Sequence, residues 1–496
     1  WHYYDSDDQM VEGEWRKDGS KWFYLDEDGN MATDTWVDDD YYVGEDGAMV
    51  KNDWRKTFGE DEEDDPDQDE HWYYFGSNGK KVTDQDKKIN GKTYYFDEDG
   101  KMYSGWYSDG KDDVAYYLGT EDEGWRAENQ WLWLENSGDT DDDFEDDDTK
   151  GESVLGCDAD NDDDPCDDEG WYWFGSDGKA YHGEGKKKIN GRYYMFNEHG
   201  QMLYEWINDN DKRYPAPGSS NNAQLDGNLL ASGSNAGQGY AGEAQNIQGM
   251  LYYNVVEEGW RGDGWYEIDG SEDAGTDGDT DWYYIDDGEI KYADGGTADL
   301  ATYDDDGAVY VQRIKIEGKY FAFNEKGQMQ DGLQYCKADG GFYYFDDNGY
   351  QKTGRVTSVE NDDDDYTFYF NTKNGKNGQG YKGIKDDYLY FNGKRQDADD
   401  DYRLFYYDGD IYLTNTKGKI QKSSKKYDIE NKGIAEDDVK VEISSKKVQS
   451  VETSTKKYTA DDLKEIAEAQ FGDAKVTDDA IVSVPFIQLY DDDVYT

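Results

Sequence analysis

The chain has 496 residues, a net charge of −66 and 34% charged residues, a profile typical of disorder except that 16% of its residues are aromatic. Disordered chains are poor in aromatic residues, so we expect a folded protein with small cores built from rings. The acidic balance argues against nucleic acid and anionic membranes as partners, because phosphate binding needs lysine and arginine.

An aromatic sequence motif of about twenty residues recurs along the chain, and some copies are shortened. In chain order, copies begin near residues 14, 35, 72, 87, 171, 187, 315, 341, 388 and 408. Two of them are KKINGKTYYFDEDGKMYSGW (residues 87–106) and KKINGRYYMFNEHGQMLYEW (residues 187–206). Asn90-Gly91 and Asn190-Gly191 are signals for a two-residue turn between strands, and Asp18-Gly19 occupies the same place in residues 12–36.

One hairpin of this length is marginal in water, so its recurrence predicts that each copy stacks its aromatic face on the next. We therefore predict an all-β fold: a solenoid of stacked β-hairpin repeats with loop insertions, followed by a small α+β C-terminal domain. The predicted organisation is hairpin repeats at 1–138, an acidic loop at 139–168, repeats at 169–214, a Gly/Ser/Asn-rich loop or linker at 215–249, repeats at 250–422 and a terminal domain or cap at 423–496.

The acidic loop allows two interpretations. Asp158, Asp160, Asp162, Asp164 and Glu169 have the spacing of calcium ligands in an EF-hand loop, but no helices are predicted beside them and position six is not glycine. A solvated acidic loop is the alternative. If calcium binds there, it should raise thermal stability.

Cysteine usage also leaves alternatives open. Cys157 and Cys166 flank the acidic loop, where a disulfide would suit an oxidising exterior, and a pair of free thiols is equally consistent with the sequence. Cys336 is alone in its part of the chain, and no role is predicted for it.

The C-terminal segment departs from the repeats. VKVEISSKKVQSVET (residues 439–453) predicts a β-hairpin and YTADDLKEIAEAQFG (residues 458–472) a short helix with Thr459 as N-cap. Leu463, Ile466, Ala467 and Phe471 fall on one face of that helix, and AIVSVPFIQLY (residues 480–490) predicts a strand.

The repeated motif resembles the cell-wall-binding repeats of choline-binding and glucan-binding proteins. Such repeats are also found in the repetitive tails of clostridial toxins. The resemblance covers most of residues 1–422. It implies a secreted, extracellular or cell-surface β-solenoid that holds its bearer on choline-bearing teichoic acid or on surface glycan. It also implies ligand cages between adjacent repeats, made by two aromatic residues of one repeat and one of the next.

Carried onto this chain, the resemblance implies ligand-binding residues in three copies: Trp15, Trp22 and Trp36; Tyr94 and Trp106; and Tyr193 and Trp206. The chain departs from the family pattern in two ways. Most tryptophans that begin a repeat lack the preceding glycine, and tyrosine often replaces the tryptophan at the first aromatic position of the hairpin. Both departures favour glycan binding or a purely structural role. The alternative for each ring is simply the core between hairpins.

Catalysis has little support, because no nucleophile, metalloprotease or phosphate-loop motif appears. The sequence predicts a non-enzymatic protein that attaches to cell-wall polymer or glycan and does not span a membrane. The alternative function is a self-assembling subunit of an extracellular fibre, filament or surface layer, as a homo-oligomer.

Overall fold

The computed structural model describes most of the chain. The described residues are 1–60, 69–108, 114–136, 155, 167–183, 185–197, 199–208, 224–225, 228–229, 250–269, 280–293, 311–361, 364–373, 377–431 and 433–471. They fall into two compact units, residues 1–227 with 255–260 and residues 228–254 with 261–496. No helix among them has the length and apolar character needed to cross a membrane.

The first unit is built from short strands. They are β1 (Glu14–Asp18), β2 (Lys21–Leu25), β3 (Thr35–Val37), β4 (Tyr41–Val43), β5 (Asp53–Thr57), β6 (His71–Phe75), β7 (Gln85–Ile89), β8 (Lys92–Phe96), β9 (Trp106–Tyr107), β10 (Tyr116–Tyr117), β11 (Gln130–Glu135), β12 (Glu169–Phe174), β13 (Lys187–Ile189), β14 (Arg192–Tyr194), β15 (Trp206–Asn208) and β16 (Gln224–Leu225). From β1 to β14, consecutive strands pair as seven separate antiparallel hairpins.

The second unit contains the remaining elements. They are β17 (Asn228–Leu229), β18 (Met250–Tyr252), β19 (Gly264–Ile268), β20 (Asp281–Asp286), β21 (Glu289–Ile290), β22 (Gln312–Ile316), β23 (Lys319–Phe323), β24 (Met329–Gln330), β25 (Gly332–Cys336), a 3-10 turn (Lys337–Asp339), β26 (Gly341–Phe345), β27 (Gly354–Asn361), β28 (Asp364–Phe370), β29 (Gly383–Lys385), β30 (Tyr388–Phe391), β31 (Lys394–Arg395), β32 (Tyr402–Tyr407), β33 (Asp410–Asn415), β34 (Lys425–Ile429), β35 (Glu436–Ser444), β36 (Lys447–Glu452), β37 (Lys457–Thr459) and helix α1 (Ala460–Phe471).

The predicted hairpins are confirmed. Asn90 and Gly91 have φ angles of 50° and 89°, and Asn190 and Gly191 have 49° and 90°. Positive φ at both central residues defines a type I′ turn, whose twist matches that of the flanking strands. The hairpin of β1 and β2 turns at Gly19-Ser20, with Asp18 opposite Lys21. The all-β fold of stacked hairpin repeats is therefore correct.

One backbone hydrogen bond ties successive repeats together. The Met49 N–H donates to the Trp22 carbonyl (2.7 Å), Met102 to Trp72 (2.9 Å) and Met202 to Trp171 (2.8 Å). Each donor lies in the tail that follows one hairpin, and each acceptor lies at the start of the second strand of an earlier one. The bond satisfies backbone groups that a lone two-stranded hairpin would leave to water.

Methionines of these tails also contact turn glycines of the next repeat. A Cβ placed on Gly47 would lie 2.7 Å from Met31 Cε and 3.1 Å from the Ala32 carbonyl oxygen. Gly79 has the same relation to Met49, Gly124 to Met102 and Gly259 to Met202. Gly47 also has a φ of 73°, so this position needs glycine both for backbone conformation and for space.

We expect Gly47→Ala to lower the free energy of unfolding by about 2–3 kcal/mol, because left-handed strain is joined by displacement of the flexible Met31 side chain and by crowding against the Ala32 carbonyl oxygen. Gly19→Ala is the matched control, because Gly19 has a φ of 57° but a Cβ added there would meet nothing within 4 Å. That control should lose only the strain, about 1–2 kcal/mol. Equal losses in urea denaturation of the two variants would show that the methionine contact adds nothing.

The end of the second unit is a six-stranded sheet covered by α1, in the strand order β33-β32-β34-β35-β36-β37. The predicted hairpin at 439–453 is confirmed as β35 and β36. The predicted cap of α1 is confirmed as well: the Asp462 N–H donates to the Thr459 hydroxyl, and the Thr459 N–H donates to the Asp462 carboxylate. Leu463 and Ala467 are fully buried in the cluster beneath the helix.

Several sequence predictions lie outside the described residues. They are the strand at 480–490, both cysteines of the predicted disulfide (Cys157 and Cys166), the calcium-ligand candidates Asp158, Asp160, Asp162 and Asp164, and all of the stretch 215–249 except 224–225 and 228–229. They stay predictions.

Candidate functional site

In six hairpins a tryptophan on the first strand, here called the opening tryptophan, faces an aromatic ring across the same hairpin. Trp15 is opposite Tyr24 in the β1–β2 register, with ring centroids 5.3 Å apart. Trp54 is opposite Tyr74, at 5.0 Å. The other pairs are Trp36–Tyr42, Trp106–Tyr117, Trp131–Trp173 and Trp265–Tyr284, with centroids 5.2–5.6 Å apart. Cross-strand aromatic pairs of this kind stabilise a hairpin beyond the area they bury.

In five of these hairpins the opening tryptophan also packs on two rings of the next hairpin, and we call such a contact between two hairpins a junction. Trp54 contacts Tyr94 at 4.8 Å and Phe96 at 5.7 Å. The pattern repeats as Trp36 with Tyr73 and Phe75, Trp106 with Tyr172 and Phe174, Trp131 with Tyr194 and Phe196, and Trp265 with Phe321 and Phe323. The paired rings are two residues apart on one strand, so they project from one face of the hairpin.

Hydrogen bonds fix the orientation of two of these indoles. The Trp36 Nε1–H donates to the Phe58 carbonyl (2.8 Å), and the Trp106 Nε1–H donates to the Glu135 carbonyl (3.0 Å). Burial raises the pKa of the Tyr94 hydroxyl, whose ring packs on Trp54, and of the Tyr117 hydroxyl, whose ring packs on Trp106.

Sequence comparison identifies the repeating unit. Residues 9–49 and 86–131 match choline-binding repeats, and residues 67–81 and 166–180 match a putative cell wall binding repeat. In these four segments the chain carries cell-wall-binding repeats.

Curated proteins similar to this chain include two streptococcal enzymes. Glucosyltransferase-I of Streptococcus downei is 24% identical over 385 residues, which is 70% of this chain and 21% of that protein. Glucosyltransferase-S of Streptococcus mutans is 27% identical over 203 residues, 40% of this chain and 9% of that protein. The chain thus spans about a fifth and about a tenth of the two relatives.

Among solved structures, choline binding protein F from Streptococcus pneumoniae is similar at 16% identity. The match covers 78% of this chain and 100% of that protein, with a TM-score of 0.36.

The structure brings together two of the three residues predicted for the first ligand cage, Trp15, Trp22 and Trp36. Trp15 and Trp22 share one face of the first hairpin, because Trp15 pairs with Tyr24, which lies two residues from Trp22 on the same strand. Trp15 contacts Tyr41 of the next hairpin at 5.5 Å. Trp36 belongs to the following junction, and none of the ring contacts described in this part of the chain joins it to Trp15 or Trp22.

The other predicted rings differ in their neighbours. Tyr94 is partly buried and packs on Trp54, whereas Tyr193 is partly buried and lies between the ammonium groups of Lys186 (4.7 Å) and Lys188 (5.4 Å). Counted from their Asn-Gly turns, Tyr193 is in the second cross-strand pair and Tyr94 in the third. Trp206 is only 3% exposed. Ligand binding at these residues stays a prediction.

Sequence reasoning missed a second kind of junction, in which the opening position lacks tryptophan. Asp86 holds that position opposite Tyr95. Tyr95 packs instead on Tyr107 (4.8 Å) and Tyr116 (5.8 Å), and Arg126 Nη1–H donates to its hydroxyl (2.9 Å). The sequence did contain a signal for this junction. The strand before the Asn90-Gly91 turn has no tryptophan, so other side chains must fill the contact with the next hairpin.

Arg313 fills the opening position of a similar junction in the second unit. Its guanidinium lies 3.8 Å from the Tyr343 ring and donates two hydrogen bonds, both 2.8 Å, to the Asp339 carboxylate. Burial raises the pKa of Tyr343 to about 12. The bidentate pair holds a charged group in a place where other junctions hold a tryptophan.

The described part of the chain contains no group of three or more His, Cys, Asp or Glu side chains that could hold a metal ion. Glu169, the one described member of the predicted calcium set, accepts a hydrogen bond from the Trp133 Nε1–H (2.5 Å).

Proposed function

We propose that the chain attaches to a cell-wall polymer or glycan at a bacterial surface, without catalysing a reaction itself. The observation that carries this proposal is the repeated packing of an opening tryptophan on rings of two hairpins. This packing leaves a further ring, such as Trp22, half-buried at the outer edge of the contact. The match to choline-binding and cell wall binding repeats supports it.

The chemistry of these outer rings suits weak contacts with a polymer. Flat aromatic faces stack on sugar rings and attract quaternary ammonium groups, at about 0.5–2 kcal/mol for each cation–π contact. Two or three such contacts give an affinity of about 1 mM. Useful attachment would therefore come from several junctions holding one polymer at once.

The similar glucosyltransferases are much longer than this chain. We propose that the repeats serve here as a binding part, and that the attachment takes place in the extracellular space. The net charge of −66 suits a protein that must stay soluble near a polymer without binding nucleic acid.

Retention on immobilised polymers tests the proposal. We expect the intact chain to be retained on at least one of three matrices: choline-bearing, glucan or peptidoglycan-derived. Unmodified matrix is the control. Absence of retention on all three would contradict the proposal, and light scattering of the same sample would then show whether the chain self-assembles instead.

A further inference from the structure

Methionine recurs at one position of the repeats. This position lies two residues after the left-handed residue of a turn, and its side chain packs on the turn glycine of the next repeat. A Cβ added to the covered glycine would lie 2.1–2.9 Å from the methionine sulfur. We call this place the ladder position, and six of the eight methionines of the chain hold it: Met10, Met31, Met49, Met102, Met202 and Met329.

Other side chains hold the ladder position in other repeats. They pack on turn glycines in the same way and are Lys81 and Arg126 in the first unit, and Arg261, Ile290, Gln351 and Arg395 in the second. Methionine therefore dominates the ladder of the first unit, whereas side chains without sulfur dominate that of the second.

The contacts of Met49 show what a ladder residue does. Its backbone N–H donates to the Trp22 carbonyl of an earlier hairpin (2.7 Å), and it forms a β-bridge with Val43 of its own hairpin. Its side chain covers Gly79 of the following repeat. One residue thus ties three successive repeats, so a change in its side chain acts on contacts that each repeat needs to stay folded.

The methionines of the first unit differ in exposure. Met31, Met49 and Met102 are partly exposed, whereas Met202 is 6% exposed and Met195, which lies outside the ladder, is 1% exposed. An accessible thioether reacts with hydrogen peroxide. The sulfur takes up one oxygen atom, the O–O bond breaks and water leaves, so sulfur loses two electrons and the peroxide gains them. The sulfoxide is polar and disrupts apolar contacts.

We propose that Met31, Met49 and Met102 are sites of oxidation by peroxide, and that their sulfoxides loosen the stacking of repeats in the first unit. The change is reversible, because methionine sulfoxide reductases restore the thioether. Repeats with isoleucine, glutamine or arginine at the ladder position have no sulfur there to oxidise. The chain therefore combines a first unit that responds to peroxide with a second unit that resists it.

A polar group at the ladder position needs a partner. The Gln351 side chain has one, because it accepts a hydrogen bond from the Arg313 guanidinium (2.6 Å). At Met49 the N–H of the covered glycine, Gly79, already donates to the Gly76 carbonyl (3.0 Å). A sulfoxide oxygen on Met49 must therefore turn towards water, which draws the side chain off the glycine.

Treatment of the intact chain with hydrogen peroxide tests the proposal. Peptide mass spectrometry should show sulfoxide at Met31, Met49 and Met102 forming at least roughly 10-fold faster than at Met195 and Met202, because buried thioethers react only when the structure opens. Equal rates at all five would contradict the assignment of these sites.

Hydrogen exchange of the oxidised chain then measures the stacking. Exchange should become roughly 2- to 10-fold faster in strands β3 to β8, the effect of losing one sulfur contact at each site. It should stay unchanged in strands β34 to β36. Incubation with methionine sulfoxide reductase should restore the slow exchange. If the three sulfoxides form while β3 to β8 exchange at the untreated rate, the sulfur contacts do not hold the stack and the proposal is wrong.

Leucine variants separate these sulfur atoms from other targets of peroxide. Leucine has nearly the volume of methionine but forms no sulfoxide. A chain with Met31→Leu, Met49→Leu and Met102→Leu should show the same exchange with and without peroxide, and continued sensitivity would overturn the assignment. Met329→Leu is the matched control, because it removes a ladder methionine of the second unit and should leave β3 to β8 as sensitive as in the wild type. If the triple variant does not fold, reversal by the reductase in the wild type decides.

Discussion

Trp54→Ala should lower the free energy of unfolding by about 2–4 kcal/mol, somewhat below the usual range for a fully buried aromatic ring because the indole is only partly buried. The indole contacts Trp72 and Tyr74 of its own hairpin and Tyr94 and Phe96 of the next. Its loss therefore opens a cavity between two repeats that supply each other's core. Chemical denaturation followed by near-ultraviolet circular dichroism measures the change.

The matched control is Trp1→Ala. Trp1 is 92% exposed, so its removal should change the free energy of unfolding by less than about 0.5 kcal/mol. Hydrogen exchange should show faster opening of both β5–β6 and β7–β8 in Trp54→Ala, because neighbours in a repeat protein stabilise each other. A loss confined to β5–β6 would contradict the shared core.

Removing two repeats should weaken attachment far more than changing one ring. A chain that begins at Asp53 lacks β1 to β4 and the junctions they form. We expect its retention on the matrix that holds the intact chain to fall roughly 10- to 100-fold, because each engaged junction raises the effective concentration of the polymer at the others.

The comparison for this prediction is Trp22→Ala, which removes one half-buried outer ring and leaves the repeats in place. It should weaken retention only about 3-fold, the loss of one modest cation–π or stacking contact. Melting curves of both proteins serve as controls for folding. If the two changes weaken retention equally, one junction carries the binding and the multivalent explanation is wrong.

The local elements of this protein could be predicted from sequence because their signals are local. Asn90-Gly91 and Asn190-Gly191 specify type I′ turns, since asparagine and glycine tolerate positive φ. Thr459 caps α1 because its hydroxyl reaches a backbone N–H three residues away. The repetition itself predicted stacking, because one hairpin cannot bury its aromatic face alone.

Only the tertiary structure decided which rings form the core and which lie at the outer edge of the contacts between hairpins. Successive residues of a strand point to opposite faces, so a difference of one residue moves a ring from one face to the other. That difference separates Tyr94, packed on Trp54, from Tyr193, which lies between two lysines.

Contacts between repeats were equally invisible in the sequence. The glycine of an Asp-Gly turn could be predicted because the turn needs a positive φ, but the Met31 side chain and the Ala32 carbonyl oxygen that crowd Gly47 come from the preceding repeat. The pairing of Lys17 with Trp22 likewise depends on strand register and on the turn at Gly19-Ser20. Sequence thus determined the hairpins and their recurrence, while packing between hairpins, which joins residues distant along the chain, decided the role of each ring.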